Sequence, residues 1–159
     1  LELDKEIVDV TLKSEVDYDY PVNDDLGFFD CEAKSDLAIN HWRRGGNVRD
    51  DFEWFNSTCA STKADAERDY LLMLDICNNR KFFIRIQMIA KIRVKVGDLW
   101  LSSTVKSDLY DGILDENREG IEDAKRSATA DITDLLLEAG FSKKQVKEAI
   151  KNMREEGDA

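Results

Sequence analysis

The chain has 159 residues, 42% of them hydrophobic, with 34 Asp/Glu against 23 Lys/Arg and a net charge of −11. This apolar content excludes wholesale disorder, and the length suits one domain with a buried core. A pI near 4.6 excludes non-specific attachment to nucleic acid or to an anionic membrane, because both would repel the chain.

The charge is unevenly spread. Residues 1–36 hold 12 Asp/Glu and 3 Lys, whereas residues 80–106 hold 7 Lys/Arg and 1 Asp. An acidic front and one basic island imply partners selected by electrostatics.

In chain order, Val8, Val10, Leu12, Val16, Tyr18 and Tyr20 fall on alternate positions, with Asp9, Thr11, Lys13, Glu15, Asp17 and Asp19 between them. Period two predicts a half-buried strand over 8–20 with an acidic outer face. Pro21 and Asn23-Asp24-Asp25-Leu26-Gly27 then predict a loop. Residues 30–43 are predicted as a short helix closed by Gly45-Gly46, with Ala33, Leu37 and Ile39 or Asn40 inward. Phe52, Trp54 and Phe55 predict a strand over 51–59.

Ser61 or Thr62 can cap the next helix, in which Ala66, Tyr70, Leu71, Leu74 and Cys77 recur at helical spacing before Asn78-Asn79 ends it. Residues 83–96 alternate Ile84, Ile86, Met88, Ala90, Ile92, Val94 and Val96 with Arg85, Gln87, Lys91, Arg93 and Lys95. Gly97-Asp98 is a two-residue turn, and Leu99 to Val105 returns as the second arm of a hairpin.

A helix is expected from about Asp115 to Ala139, with Gly140 as its left-handed cap and Phe141 packing back. Ser142 to Gln145 reads as a capping box opening a last helix that turns Val146, Ala149, Ile150 and Met153 inward. The Leu135–Phe141 run resembles the Gly-Phe loop of ubiquitin-associated helical bundles, but the third helix is missing, and a helix hairpin packed on the sheet fits better. The expected fold is one α+β domain over 1–159: a largely antiparallel sheet with helices packed on it, an acidic strand and loop at 1–36, and a helical hairpin at 115–155.

Cys31, Cys59 and Cys77 are odd in number and irregular in spacing. They fit neither a disulfide framework nor a metal motif, and reduced thiols in the cytoplasm are expected. No apolar run is long enough for a bilayer, and no basic-then-apolar signal precedes the first strand, so no membrane association is expected.

Chemistry-bearing patterns are few. His41 is the only histidine, set among Asn40, Trp42, Arg43 and Arg44 near a predicted helix end, where a structural or capping role is expected. No Gly-rich phosphate loop or Cys/His spacing is present. Asp17, Asp19 and Asp25 lack the glycine and the ligand order of a calcium loop, so neither a metal nor a cofactor is expected. One enzymatic alternative is a Mg²⁺-dependent nuclease in which Asp25 and Glu32 hold the ion and Lys34 positions the attacking water. It requires Phe28 to Lys34 to be a strand.

The basic face of residues 83–96 lacks interleaved aromatics for stacking on bases. If the 8–20 strand is its neighbour, opposite charges face one another across the ladder. The acidic segment admits three readings: a solubilising face, an imitation of nucleic acid, or metal binding. Carboxylates on alternate strand residues lie about 6.6–6.8 Å apart, a spacing like that of successive phosphates.

Residues 64–108 carry a resemblance. Ala66-Glu67-Arg68-Asp69-Tyr70, Asn78-Asn79-Arg80, Phe82-Phe83-Ile84, Leu99-Trp100 and Ser107-Asp108 resemble a group of small uncharacterised proteins of bacteriophages and mobile elements. The group's Gly-Ile-Glu after Trp is replaced by Leu101-Ser102-Ser103, so the role of that acid is not carried over. The resemblance implies origin rather than mechanism, and with it a host-interaction or anti-defence task. The resulting expectation is a non-enzymatic protein that blocks a host or defence protein with a basic surface. Its contact residues would be Glu15, Asp17, Asp19, Asp24 and Asp25, and no nucleic acid would be bound directly. A small structural or assembly protein, using exposed apolar surface on the terminal helices, is a further alternative.

Overall fold

The structure is a computed structural model describing residues 4–45 and 48–157. It is an α+β fold dominated by antiparallel sheets. Its residues gather into two compact units, one made from the chain up to Tyr18 together with everything from Phe83 onward, the other being Asp19–Phe82. The elements are β1 (Lys5–Val16), α1 (Val22–Asp25), β2 (Gly27–Asp30), β3 (Ile39–Asn40), β4 (Trp54–Ser57) and α2 (Lys63–Cys77). After them come β5 (Phe83–Val96), β6 (Leu99–Lys106), β7 (Tyr110–Leu114), α3 (Arg118–Glu138), α4 (Lys143–Lys151) and β8 (Arg154–Gly157).

In the first unit the strands lie in the order β6-β5-β1-β8, with β7 on a further stretch of β5. All ladders are antiparallel except β1 with β8. Val10 and Leu12 of β1, with Ile84, Ile86, Met88 and Ala90 of β5, bury one sheet face against Ala128, Ile132 and Leu136 of α3. Sequence periodicity places β5 and its hairpin partner correctly.

In β1 the periodicity is interrupted, because the register with β5 shifts between Ile7 and Asp9. Ile7 sits opposite Ile92, while Val8, expected to be inward, is the extra residue of a bulge and 55% exposed. The strand also stops at Val16, short of the expected Tyr20, and Tyr18 is exposed.

The predicted junction of the last two helices forms as expected. Gly140 has φ +95°, the Phe141 N–H donates to Leu136 O, and Phe141 is buried. Lys5 Nζ donates to Ala139 O at 2.7 Å, a cation at the negative end of α3. Ser142 and Gln145 form the reciprocal capping box. Two strands of this unit were not predicted. In β7, Tyr110 donates its hydroxyl to Asp131 of α3 at 2.6 Å. In β8, every residue is exposed, so no hydropathy signal marks it.

The second unit is a small antiparallel sheet, β2-β4-β3, with α2 against it. Thr62 caps α2 by accepting from the Asp65 N–H. Phe55, Ala66, Tyr70 and Met73 are buried here. Gly27 has φ +146°, and a Cβ there would stand 2.3 Å from Asn56 O, so the closeness of β2 to β4 requires glycine.

The helix expected over 30–43 does not form. Its polar residues bond to nearby backbone instead: Asp30 accepts from Cys31 N–H, Ser35 from Leu37 N–H and Asn40 from Arg43 N–H. Asn56 of β4 fixes the middle by accepting from Lys34 N–H at 2.8 Å and donating to Glu32 O at 3.0 Å. Side chains that satisfy the backbone locally compete with the helix. Likewise Val22–Asp25, expected as loop, makes one helical turn, α1.

Candidate functional site

The outward face of β1 and β5 is a ladder of opposite charges. Glu6 lies opposite Arg93 and bonds it at 2.5 Å, and Glu15 lies opposite Arg85 and bonds it at 2.8 Å. Asp9 lies opposite Lys91 and is gripped by Arg154 of β8 at 2.6 and 3.1 Å. The Arg154 hydrogen bonds hold the Asp9 carboxyl below its usual range. Facing pairs of this kind each contribute roughly 0.2–1 kcal/mol. The strand neighbours expected from the alternating charges are therefore present, and the acids of β1 serve the sheet.

The five candidate contact acids divide between the units. Glu15 and Asp17 belong to the first, where Arg85 lies 2.8 Å from Glu15 and 3.9 Å from Asp17. Asp17 has only 8% of its side chain accessible. Asp19, Asp24 and Asp25 belong to the second unit and are exposed. Asp24 and Asp25 sit on α1, where Tyr20 donates its hydroxyl to Asp25 and Thr58 donates to Asn23 O.

The nuclease alternative needs Asp25, Glu32 and Lys34 together on and beside one strand. β2 ends at Asp30, so Glu32 and Lys34 lie beyond it. Lys34 Nζ is 3.3 Å from Glu32 and 3.5 Å from Asp30, and these carboxylates raise its pKa, Glu32 foremost. Asp25 is on α1 with Tyr20 as its partner. Among the described residues no group of three or more His, Cys, Asp or Glu side chains is placed to hold a metal ion. The geometry assembles an ion pair rather than a metal site.

His41 is 1% exposed, at the heart of the second unit. Its Nε2 donates to Val48 O at 2.5 Å, since a carbonyl can only accept. In the neutral ring Nδ1 then accepts from the Tyr70 hydroxyl at 2.7 Å. Phe29 packs tilted and Tyr70 edge-on against the imidazole, with centroids 5.0 and 5.7 Å away. Burial raises the Tyr70 pKa. With both nitrogens engaged, His41 is a core residue, and the helix end proposed for it is replaced by a three-residue 3₁₀ turn over Trp42–Arg44.

Sequence reasoning missed one surface. The outward positions of β5 carry no aromatic, but β6 sets Trp100 opposite Lys95, with the Arg93 guanidinium 4.5 Å from the ring centroid. Register, invisible within either strand alone, makes that juxtaposition. No described helix is long and apolar enough to cross a membrane. Compared with protein-family models, with curated proteins and with solved structures, the chain matches none.

Proposed function

We propose that the chain is a non-enzymatic protein of bacteriophage or mobile-element type that binds and blocks a host or defence nucleic-acid-processing protein through an acidic surface. The observation that supports this reading is the internal matching of the basic island. Arg85 and Arg93 are paired with Glu15 and Glu6, and Arg80 and Lys81 with Asp75. With much of its positive charge neutralised within the chain, a molecule of net charge −11 repels polyanions and attracts basic protein surfaces.

The contact set narrows accordingly. Glu15 and Asp17 support the sheet through Arg85, while Asp24 and Asp25 on α1, together with Asp19, carry the docking charge. Association through such groups is fast and weakens with salt. The test is capture from a bacterial lysate on immobilised chain, comparing the native sequence with the Asp24→Lys/Asp25→Lys variant in about 0.1 M and about 1 M salt, where the screening length falls from about 10 to about 3 Å. A basic nucleic-acid-processing protein should be retained by the native chain at low salt only, and lost from the variant. Equal retention by both chains removes this reading, as does cleavage of plasmid or RNA by the purified chain with Mg²⁺.

A further inference from the structure

A second surface, of opposite sign, lies at the far edge of the first unit's sheet. Among the described strands β6 pairs with β5 alone, so one side of its backbone is open. Edge strands are ordinarily protected by shortness, proline, bulges or inward charges. β6 has eight residues in unbroken register with β5, contains no proline, and carries its only charge at its last residue, Lys106. Every residue of it except Val105 is exposed.

The two-residue turn fixes which groups face outward. Val96 and Leu99 close the hairpin, so they and every second pair beyond them exchange hydrogen bonds across β5 and β6. The N–H and C=O groups of Trp100, Ser102 and Thr104 therefore point to the open side. On one face of this edge Leu99 and Leu101 are 69% and 56% exposed. On the other, Trp100 lies beside Lys95, whose Nζ is 6.0 Å from the ring centroid. Neither Lys95 nor Lys106 forms an ion pair among the described residues, although the chain holds 34 acidic side chains.

We infer that the open edge of β6 is a docking site for an extended, acidic segment of another protein, added to the sheet as a further antiparallel strand. Main-chain hydrogen bonds from Trp100, Ser102 and Thr104 supply affinity. Alternation supplies specificity: apolar side chains of the incoming strand lie over Leu99 and Leu101, and its carboxylates face Lys95 and Lys106. A second copy of this chain fits worse, because β6 carries no carboxylate of its own to set against Lys95 and Lys106. The site is separate from the acidic surface proposed above and stands or falls independently of it.

The experiment uses the full chain and two labelled eight-residue peptides, one alternating valine with glutamate and one alternating valine with lysine, read by fluorescence polarisation. The glutamate peptide should bind at least tenfold more tightly. Ser102→Pro removes an outward N–H that β5 does not use, so it should abolish binding while leaving circular dichroism unchanged. Lys95→Glu with Lys106→Glu should reverse the preference. If Ser102→Pro disturbs the fold, a glutamate peptide N-methylated at alternate residues is used with the native chain, and its failure to bind supports the proposal equally. Equal affinity for both peptides, binding that survives Ser102→Pro in a folded chain or survives N-methylation, or a dimer that Ser102→Pro dissociates would each overturn it.

Discussion

Arg154 of β8 holds Asp9 of β1 with both Nε and Nη2, at 3.1 and 2.6 Å. Because β8 buries none of its four residues, it is held by this fork, by the short parallel ladder and by the ion pair of Glu155 with Lys125 of α3. Two-pronged guanidinium–carboxylate contacts are the stronger kind of ion pair. Asp9→Asn should cost about 0.5–1 kcal/mol, visible as faster amide exchange in Arg154–Gly157 with little change in β5. The pH dependence follows from the direction of the Asp9 shift. Its folded pKa is depressed, so its stabilisation is complete above the ordinary carboxylate pKa and is lost as pH falls through the folded value. Asp9→Asn should flatten that part of the acid-unfolding curve.

Charge reversal should separate the candidate acids by role. Glu15→Lys with Asp17→Lys sets two cations against Arg85, so a loss of about 1–3 kcal/mol is expected in urea unfolding. Asp24→Lys with Asp25→Lys, on the exposed α1, should stay within about 0.5 kcal/mol of the native chain. A reversed order of the two effects would show that α1, and not the β1–β5 ladder, depends on its acids for stability.

Tyr70→Phe removes the hydroxyl that His41 Nδ1 meets at 2.7 Å and leaves a buried ring nitrogen without its partner. The expected cost is about 1–3 kcal/mol, measured by chemical denaturation. An unchanged midpoint would mean that the imidazole finds another donor.

Gly27→Ala should be more damaging than its size suggests. The position has φ +146°, and the added methyl would meet Asn56 O at 2.3 Å. Overpacking against fixed backbone costs about 1–3 kcal/mol or more. Loss of the β2–β4 ladder should appear in amide exchange at Phe28–Asp30.

At alkaline pH the reporter is Tyr110. Its hydrogen bond to Asp131, the main cause, pushes its pKa up to about 12. A folded pKa above the unfolded one of about 10 gives a contribution complete below pH ~10 and lost as pH rises through the folded value. Tyr110→Phe should remove that alkaline slope, and ultraviolet titration of the native chain should show two tyrosinates forming late, those of Tyr70 and Tyr110, with the substitution removing one of them.

Legibility in the sequence followed the strength of the hydrophobic pattern. Residues 83–106 alternate cleanly around Gly97-Asp98, and β5 and β6 match the prediction closely. The caps at Thr62, Gly140 and Ser142 were readable because each depends on local chemistry alone. Residues 30–43 misled because Leu37 and Ile39 suggest a helix, whereas Asn56, more than 20 positions away in β4, holds the backbone of Glu32 and Lys34 in a turn. The candidate acids showed the same limit. Alternation exposed the acidic face of β1, but only the register with β5 shows that Arg85 and Arg93 lie against it.

The first unit is interrupted in sequence by the whole of the second. During synthesis β1 emerges long before β5, its first partner, and before α3, which covers its apolar face. Asp19–Phe82 can complete its own sheet meanwhile, while β1 waits as an unpaired amphipathic strand of the kind that aggregates. The carboxylates of Glu6, Asp9 and Glu15, which later meet arginines, give the nascent strand a charge that discourages premature pairing with other chains.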